Sequence, residues 1–222
     1  MKRCVIFDLD GTLCDTSADL IAACNAALDD LDRPERLDPA APEDRAVALH
    51  GGRAMLRLAL GRTGSADDDL IDRGYPPLLR AYDGRICDET RFYPGALEAV
   101  ERLRARGDAV GICTNKPEAL AEKLMAALGV RDRFDSLVGA DTLAVRKPHP
   151  EHYIESVARA GGALDRSVLI GDSGTDRDTA ARAGVPCVLV TFADRETVAG
   201  LEPEALLDDY ADLEDVLAGL GL

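Results

Sequence analysis

An apolar strand that ends in two carboxylates is the feature that most constrains the fold of this chain. Residues 5–7 form a β-branched and aromatic run, which predicts a buried strand, and residues 8–13 continue as DLDGTL. Side chains alternate along a strand, so Asp8 and Asp10 are expected to point the same way. Neighbouring carboxylates repel and raise each other's pKa, and a divalent cation such as Mg²⁺ removes that penalty. The segment therefore predicts a strand end built for a metal ion.

Gly11 and Thr12 follow the second carboxylate directly. Glycine permits a tight backbone approach, and the backbone amides of both residues can face an anion. The pattern Asp-x-Asp-Gly also occurs in plain turns and in calcium loops. A calcium loop needs an oxygen ligand such as a carboxylate at its fifth position and Glu at its twelfth, where this chain has Thr12 and Asp19. The segment alone leaves a turn and a phosphate site as alternatives.

The composition of the chain indicates its class and the kinds of molecule that it can bind. The chain has 222 residues, 46% of them hydrophobic, which predicts a soluble globular protein with one core or a core plus a small second unit. The net charge of −15 disfavours nucleic acid and anionic membranes, because both bind basic surfaces. We find no signal peptide, no membrane-length apolar run and no zinc spacing among the cysteines, so a cytoplasmic protein is expected.

The periodicity of the sequence changes twice. Helical patterns fill residues 15–88 without a convincing strand, and alternation of strands with helices resumes after Tyr93. Later strands are predicted at 109–113, 136–139, 167–171 and 187–191. Such alternation predicts an α/β fold in which a parallel sheet is covered by helices on both faces.

Polar groups follow three strand-like runs of this second half, residues 109–113, 145–146 and 168–170. Because parallel sheets bind ligands at the carboxyl ends of their strands, these groups are expected to converge with Asp8 on one site. Alone, each group could be a helix cap or an exposed side chain. The segments are Thr114-Asn115-Lys116-Pro117, Lys147-Pro148-His149-Pro150 and Gly171-Asp172-Ser173-Gly174-Thr175-Asp176.

Together with DLDGT, these segments resemble the four ordered motifs of the haloacid dehalogenase superfamily. The resemblance implies a Rossmann-like, three-layer α/β/α core domain formed by residues 1–14 and 90–222. It implies an inserted α-helical cap domain at residues 15–89. The cap is expected to close over the site, with hinges near 14–16 and 90–93, and so to exclude water.

The resemblance also implies a Mg²⁺ ion and an aspartyl-phosphate intermediate. Asp8 would be the nucleophile, and Asp10 would act as general acid and base. The metal ligands would be Asp8, the backbone carbonyl of Asp10 and Asp172. Asp176 would be either a further ligand or a partner of the ligands.

A second set of residues would hold the phosphate. By the resemblance, Thr114 and the amide of Asn115 bind phosphate oxygens, while Lys147 offsets the clustered negative charge and orients Asp8. The amides of Gly11 and Thr12 are the remaining candidates for substrate binding.

The details are similar to the phosphoglycolate phosphatase-like subfamily, above all TNKP at 114–117 and KPHP at 147–150. The dehalogenating members of the superfamily carry a different residue at the position of Asp10, so dehalogenation is disfavoured. The phosphonate-cleaving members use a Schiff-base lysine in the cap, and residues 15–88 contain no lysine, which excludes that chemistry. The resemblance thus favours a phosphatase acting on a small phosphorylated metabolite, 2-phosphoglycolate first. A sugar-phosphate phosphatase, a β-phosphoglucomutase-like phosphoryl transferase and a non-catalytic binding protein stay open. The chain is expected to be a monomer or a homodimer.

Specificity is expected to lie in the cap. There His50-Gly51-Gly52-Arg53 is the candidate substrate loop. Gly52 would allow close approach, and Arg53 could bind a carboxylate with its planar fork of donors. The alternative is an ordinary helix–helix turn followed by a surface arginine. His149 and His152 are interpreted as a helix-start residue and a surface residue.

Overall fold

The computed structural model describes residues 2–192 and 195–222. Its contacts form two compact units, residues 1–14 with 92–222 (the sheet unit) and residues 15–91 (the helical unit). No helix in the described ranges is long and apolar enough to cross a membrane. The elements are β1 (Cys4–Phe7), β2 (Cys14–Asp15), α1 (Ser17–Asp30), α2 (Pro42–Ala48), α3 (Gly52–Gly61), α4 (Asp68–Asp83), β3 (Arg91–Phe92), α5 (Ala96–Ala105), β4 (Ala109–Cys113), α6 (Glu118–Ala127), β5 (Ser136–Val138), α7 (Pro150–Ala160), β6 (Ser167–Gly171), α8 (Gly174–Ala183), β7 (Cys187–Val190), α9 (Arg195–Ala199), β8 (Ala205–Leu207) and α10 (Leu213–Gly219).

The sheet unit is built on six parallel strands in the order β5-β4-β1-β6-β7-β8. Strands β1, β4 and β6 are buried along their whole length, as expected where helices pack on a parallel sheet. Register aligns the strand ends, because Phe7 lies beside Ile112 of β4 and beside Ile170 of β6. The residues that follow these three strands therefore start from the same edge.

The predicted α/β class is confirmed, and four of the later strands lie within one residue of their predicted ends. The sixth strand, β8, was not predicted. It has only three residues at one edge of the sheet, and only Leu207 is fully buried. So short a segment inside an acidic stretch lacks the periodicity that identifies a strand.

The prediction that His152 lies at the surface is wrong. His152 is fully buried on the face of α7 that packs on β4, one turn before Ser156. Its Nε2 lies 2.8 Å from the Gly139 carbonyl oxygen and its Nδ1 lies 3.2 Å from Cys113 Sγ. Burial lowers the pKa of His152, so the ring is neutral, with Nε2–H donating to Gly139. His149 does begin α7, as its N-cap.

The helical unit packs α1 against α4 and α3 against α4. Two side chains of α1 hold distant backbone. Asn25 exchanges two hydrogen bonds of 2.9 Å with the backbone of Leu37. Asp19 is buried, and its carboxylate accepts bonds from the amides of Glu89 and Thr90 and from the Thr90 hydroxyl, at 2.8–3.1 Å. These bonds fix the loop after α1 and the end of the unit. The closing motion and its hinges stay predictions.

Replacing Asp19 by Asn should destabilise the protein. The side-chain NH₂ of asparagine cannot accept the hydrogen bonds that a carboxylate oxygen of Asp19 accepts from Glu89 and Thr90. We expect a loss of about 1–3 kcal/mol in the free energy of unfolding, measured by urea denaturation. Asp30→Asn is the matched control, since Asp30 is exposed at the end of the same helix and should shift stability by under about 0.5 kcal/mol. Equal effects of the two variants would contradict this account of Asp19.

Candidate active site at the carboxyl edge of the sheet

The aligned strand ends place three polar segments side by side. The Asp8 amide donates to the Ile170 carbonyl at 2.8 Å, and the Thr114 amide donates to the Val138 carbonyl at 3.0 Å. Strand-like pairing thus continues one residue beyond β1 and β4. Asp172 follows the last residue of β6 in the same way. The regular sheet, rather than a flexible loop, therefore sets where these side chains begin.

The segment after Asp8 folds into a closed turn. Gly11 has a φ of 81°, which a glycine adopts without strain, and its amide donates to the Cys14 carbonyl at 2.9 Å. The turn directs the buried Thr12 hydroxyl to Asp172 Oδ1 at 3.1 Å. The Tyr210 hydroxyl holds the Thr12 carbonyl at 3.0 Å. The contacts of Gly11 and Thr12 with an anion stay predictions.

Three carboxylates of the described residues meet at this edge. Asp8, Asp172 and Asp176 each offer an oxygen, and these oxygens lie within 4.8 Å of one another. Burial raises the pKa of Asp8 to about 6, with Lys147 opposing the shift and Asp176 adding to it. Burial, Asp176 and Asp8 raise the pKa of Asp172 well above its usual range. The cluster is an arrangement that bound positive charge stabilises.

Lys147 supplies part of that charge. Its Nζ lies 2.7 Å from Asp176 Oδ1 and 3.0 Å from Asp8 Oδ2, and only 1% of the side chain is exposed. Burial alone would lower the pKa of Lys147, but Asp176 and Asp8 together raise it above its ordinary value, so the lysine is charged. The Asn115 side-chain amide donates to the Lys147 carbonyl at 3.0 Å and so fixes the backbone that carries the ammonium.

Asp176 begins helix α8 as well as joining the cluster. Its Oδ2 accepts the Ser173 hydroxyl at 2.6 Å and the amides of Ser173 and Asp172 at 3.2 and 3.3 Å, which forms a capping box. A Cβ at Gly171 would lie 2.3–2.5 Å from the Asp176 side chain, so the close approach requires glycine there. Both oxygens of Asp176 are engaged by protein donors.

Lys116 is a residue of this site for which the sequence predicts no role. Its Nζ lies 2.9 and 3.1 Å from the two carboxylate oxygens of Asp10, and 3% of its side chain is exposed. Its amide donates to the buried Thr114 hydroxyl at 3.2 Å. One signal was present in the sequence, because the chain has only four lysines and this one lies inside a motif.

The two candidates from the helical unit have local partners. Arg53 pairs with Asp72, its guanidinium carbon lies 4.9 Å from the centre of the Tyr75 ring, and half of its side chain is exposed. A Cβ at Gly52 would lie 3.0–3.2 Å from Leu78 and Tyr75, so helix packing accounts for this glycine. The substrate contacts of Gly52 and Arg53 stay predictions.

A buried acid cluster with lysines at the carboxyl edge of a parallel sheet defines the class, an α/β protein with charged groups gathered at that edge. The chain belongs to the haloacid dehalogenase-like hydrolases, whose family model matches residues 2–184.

Similar proteins span nearly the whole chain. A phosphoglycolate phosphatase from Mesorhizobium japonicum is 40% identical over 217 residues, which cover 96% of this chain and 94% of the relative. Another from Rhodospirillum rubrum is 40% identical over 223 residues, or 98% and 91% of the two chains. The structure of a haloacid dehalogenase-like hydrolase from Streptococcus pneumoniae has a TM-score of 0.81 at 20% identity, covering 96% of this chain and 97% of that one, and shows the shared fold.

Lys147→Met should destabilise the metal-free protein in a pH-dependent way. Loss of the ammonium leaves Asp8 and Asp176 without their buried cation, and we expect a cost of about 3 kcal/mol at pH 8. The folded-state pKa of Asp8, already raised, should rise further. A raised folded pKa means that stability present at low pH is lost as pH rises through it, so the cost should shrink towards pH 5.5.

Urea denaturation in EDTA at the two pH values measures this cost. Lys123→Met on α6 is the control, because Lys123 is an exposed lysine of the same unit. A cost for Lys147→Met that is the same at both pH values would show that lost packing, and not lost charge, is responsible.

Proposed function

We propose that this protein is a Mg²⁺-dependent phosphatase that hydrolyses 2-phosphoglycolate to glycolate and phosphate through an aspartyl-phosphate. The observation that carries the proposal is the position of Asp8, held by Lys147 beside the acid cluster, with Asp10 two residues further on. The family and the names of the relatives that match most of the chain support the same activity and substrate.

The donor set fits a magnesium ion. Carboxylate and carbonyl oxygens are the ligands that Mg²⁺ prefers. Burial raises the pKa values of Asp8 and Asp172, neighbouring carboxylates add to the shift, and a bound cation would stabilise the ionised forms. Asp8, the Asp10 carbonyl and Asp172 would hold the ion. Asp176 would orient its neighbours, since Lys147 and Ser173 engage its oxygens. When bound, the ion neutralises charge on the carboxylates and on the phosphoryl oxygens.

The side chains divide the reaction between them. An Asp8 oxygen forms the new bond to phosphorus, while the bond from phosphorus to the ester oxygen breaks. Asp10 gives a proton to the leaving oxygen and later takes one from the water that releases phosphate and restores Asp8. Lys147 holds Asp8 in its ionised form and in place. Thr114 and the Asn115 amide would hold the phosphate oxygens, since both follow β4 at the same edge.

Phosphate release from a panel of esters tests the activity. The panel contains 2-phosphoglycolate, hexose and pentose phosphates, nucleotides and pyrophosphate, each with Mg²⁺ and with EDTA. We expect Mg²⁺-dependent turnover led by 2-phosphoglycolate. Asp8→Asn removes the nucleophile and should lower kcat by about 10⁴-fold or more. The exposed Asp30→Asn should match wild type.

Other outcomes divide the proposal into its parts. Turnover led by a different ester would overturn the substrate and keep the mechanism. Full turnover in EDTA would overturn the role of the metal. Rearrangement of a sugar bisphosphate without net phosphate release would identify a phosphoryl transferase, and an inert protein would contradict the enzyme assignment.

Thermal unfolding tests the metal site without catalysis. Mg²⁺ at one hundred times its Kd should stabilise the wild-type protein by about 2.7 kcal/mol, seen as a higher Tm. Asp172→Asn removes one proposed ligand and should abolish most of this increase. Asp30→Asn should retain it. An equal Mg²⁺ response in the Asp172 variant would remove that residue from the proposed ligand set.

A further inference from the structure

We propose that Lys116 determines specificity by binding the carboxylate of an acidic leaving group while it holds Asp10. The inference rests on the proposed phosphatase function and deepens it. Lys116 would select a phosphate ester whose carboxylate is one carbon away from the ester oxygen.

The two lysines of the site occupy different positions. Lys147 lies between Asp8 and Asp176, with the nucleophile. Lys116 contacts both oxygens of Asp10, at 2.9 and 3.1 Å. Asp10 is the residue assigned to protonate the leaving oxygen, so it must lie within hydrogen-bonding distance of that oxygen in the complex. Lys116 therefore lies beside the leaving group. The leaving group is the part of the substrate that differs from one phosphate monoester to another, whereas the phosphate is the same in all of them.

The chemistry of 2-phosphoglycolate matches this position. Its carboxylate is joined to the ester oxygen through a single methylene carbon. A leaving oxygen that is hydrogen-bonded to Asp10 therefore brings the carboxylate next to the group that Asp10 itself contacts, the Lys116 ammonium. An ammonium has three N–H donors and can serve more than one carboxylate at once. Contact of this kind is a charge-assisted hydrogen bond.

Electrostatics makes the interaction selective. The chain has a net charge of −15, and Asp8, Asp10, Asp172 and Asp176 lie in the site, so an additional carboxylate is repelled unless a cation binds it. The Lys116 side chain is 3% exposed, so bulk water screens its charge little. An ester without the carboxylate would forgo this attraction while all phosphate contacts stay the same.

The competing candidate for the carboxylate is Arg53. Its guanidinium pairs with Asp72 and lies against Tyr75 within the helical unit, and half of the side chain is exposed to solvent. A contact with substrate there would have to displace or share an existing ion pair. Lys116 already belongs to the set of side chains that includes Asp10.

The test compares two esters of nearly equal size, 2-phosphoglycolate and 2-hydroxyethyl phosphate, in which a hydroxymethyl group replaces the carboxylate. We expect Lys116→Met to lower kcat/KM for 2-phosphoglycolate about 10- to 100-fold more than for the neutral ester, the effect of one hydrogen bond to a charged group. Lys116→Arg should retain part of the preference, and thermal melts identify any variant that fails to fold. Lys123→Met is the matched control, and Arg53→Met tests the competing candidate.

Each outcome decides the matter. Collapse of the preference in Lys116→Met alone supports the proposal. An equal loss on both esters shows that Lys116 acts only through Asp10 and overturns it, as does collapse of the preference in Arg53→Met alone. In both cases the proposed phosphatase function stands. If the wild-type protein favours the neutral ester or hydrolyses neither, the proposed substrate and the role of Lys116 fail together.

Discussion

A buried ammonium held between two carboxylates underlies the organisation of this site. Lys147, Asp8 and Asp176 come from three separate segments of the chain, and none of them could be buried alone without a large loss of hydration free energy. Together they satisfy one another, and Asp176 also begins helix α8 through its capping box. These contacts therefore join the end of β1, the connection between β5 and α7, and the start of α8, so the cluster also stabilises the fold.

The parallel register of the sheet sets where the residues of the site begin. Phe7, Ile112 and Ile170 lie side by side, so the residues after β1, β4 and β6 start at one level. Glycine at 171 then admits the Asp176 side chain against the strand end. Asp8, Thr114 and Asp172 need little support from long loops, because the backbone ladder has already fixed their starting points.

The sequence predicted the parts of the structure that have a local signature. Buried strands appear as short apolar runs, and carboxylates that follow a strand at wide sequence spacing point to one edge of the sheet. What it could not predict depends on partners distant in sequence. His152 is polar, yet α7 buries it because Cys113 and Gly139 supply hydrogen-bond partners. Strand β8 is too short to stand out from its acidic surroundings, and its pairing with β7 defines it.

Lys116 shows that a motif does not by itself predict the contacts of all its residues. Within Thr-Asn-Lys, the threonine and the asparagine have obvious uses at a strand end, and a lysine in a loop is usually exposed. Only the fold shows that its ammonium lies against Asp10, 106 positions earlier in the chain. The two lysines bind different carboxylates: Lys147 contacts Asp8, the proposed nucleophile, and Lys116 contacts Asp10, the proposed general acid and base. In so acidic a protein, this arrangement would give an anionic substrate a cation on each side of the bond to be broken. An ester that carries negative charge at both ends would gain most from the two cations.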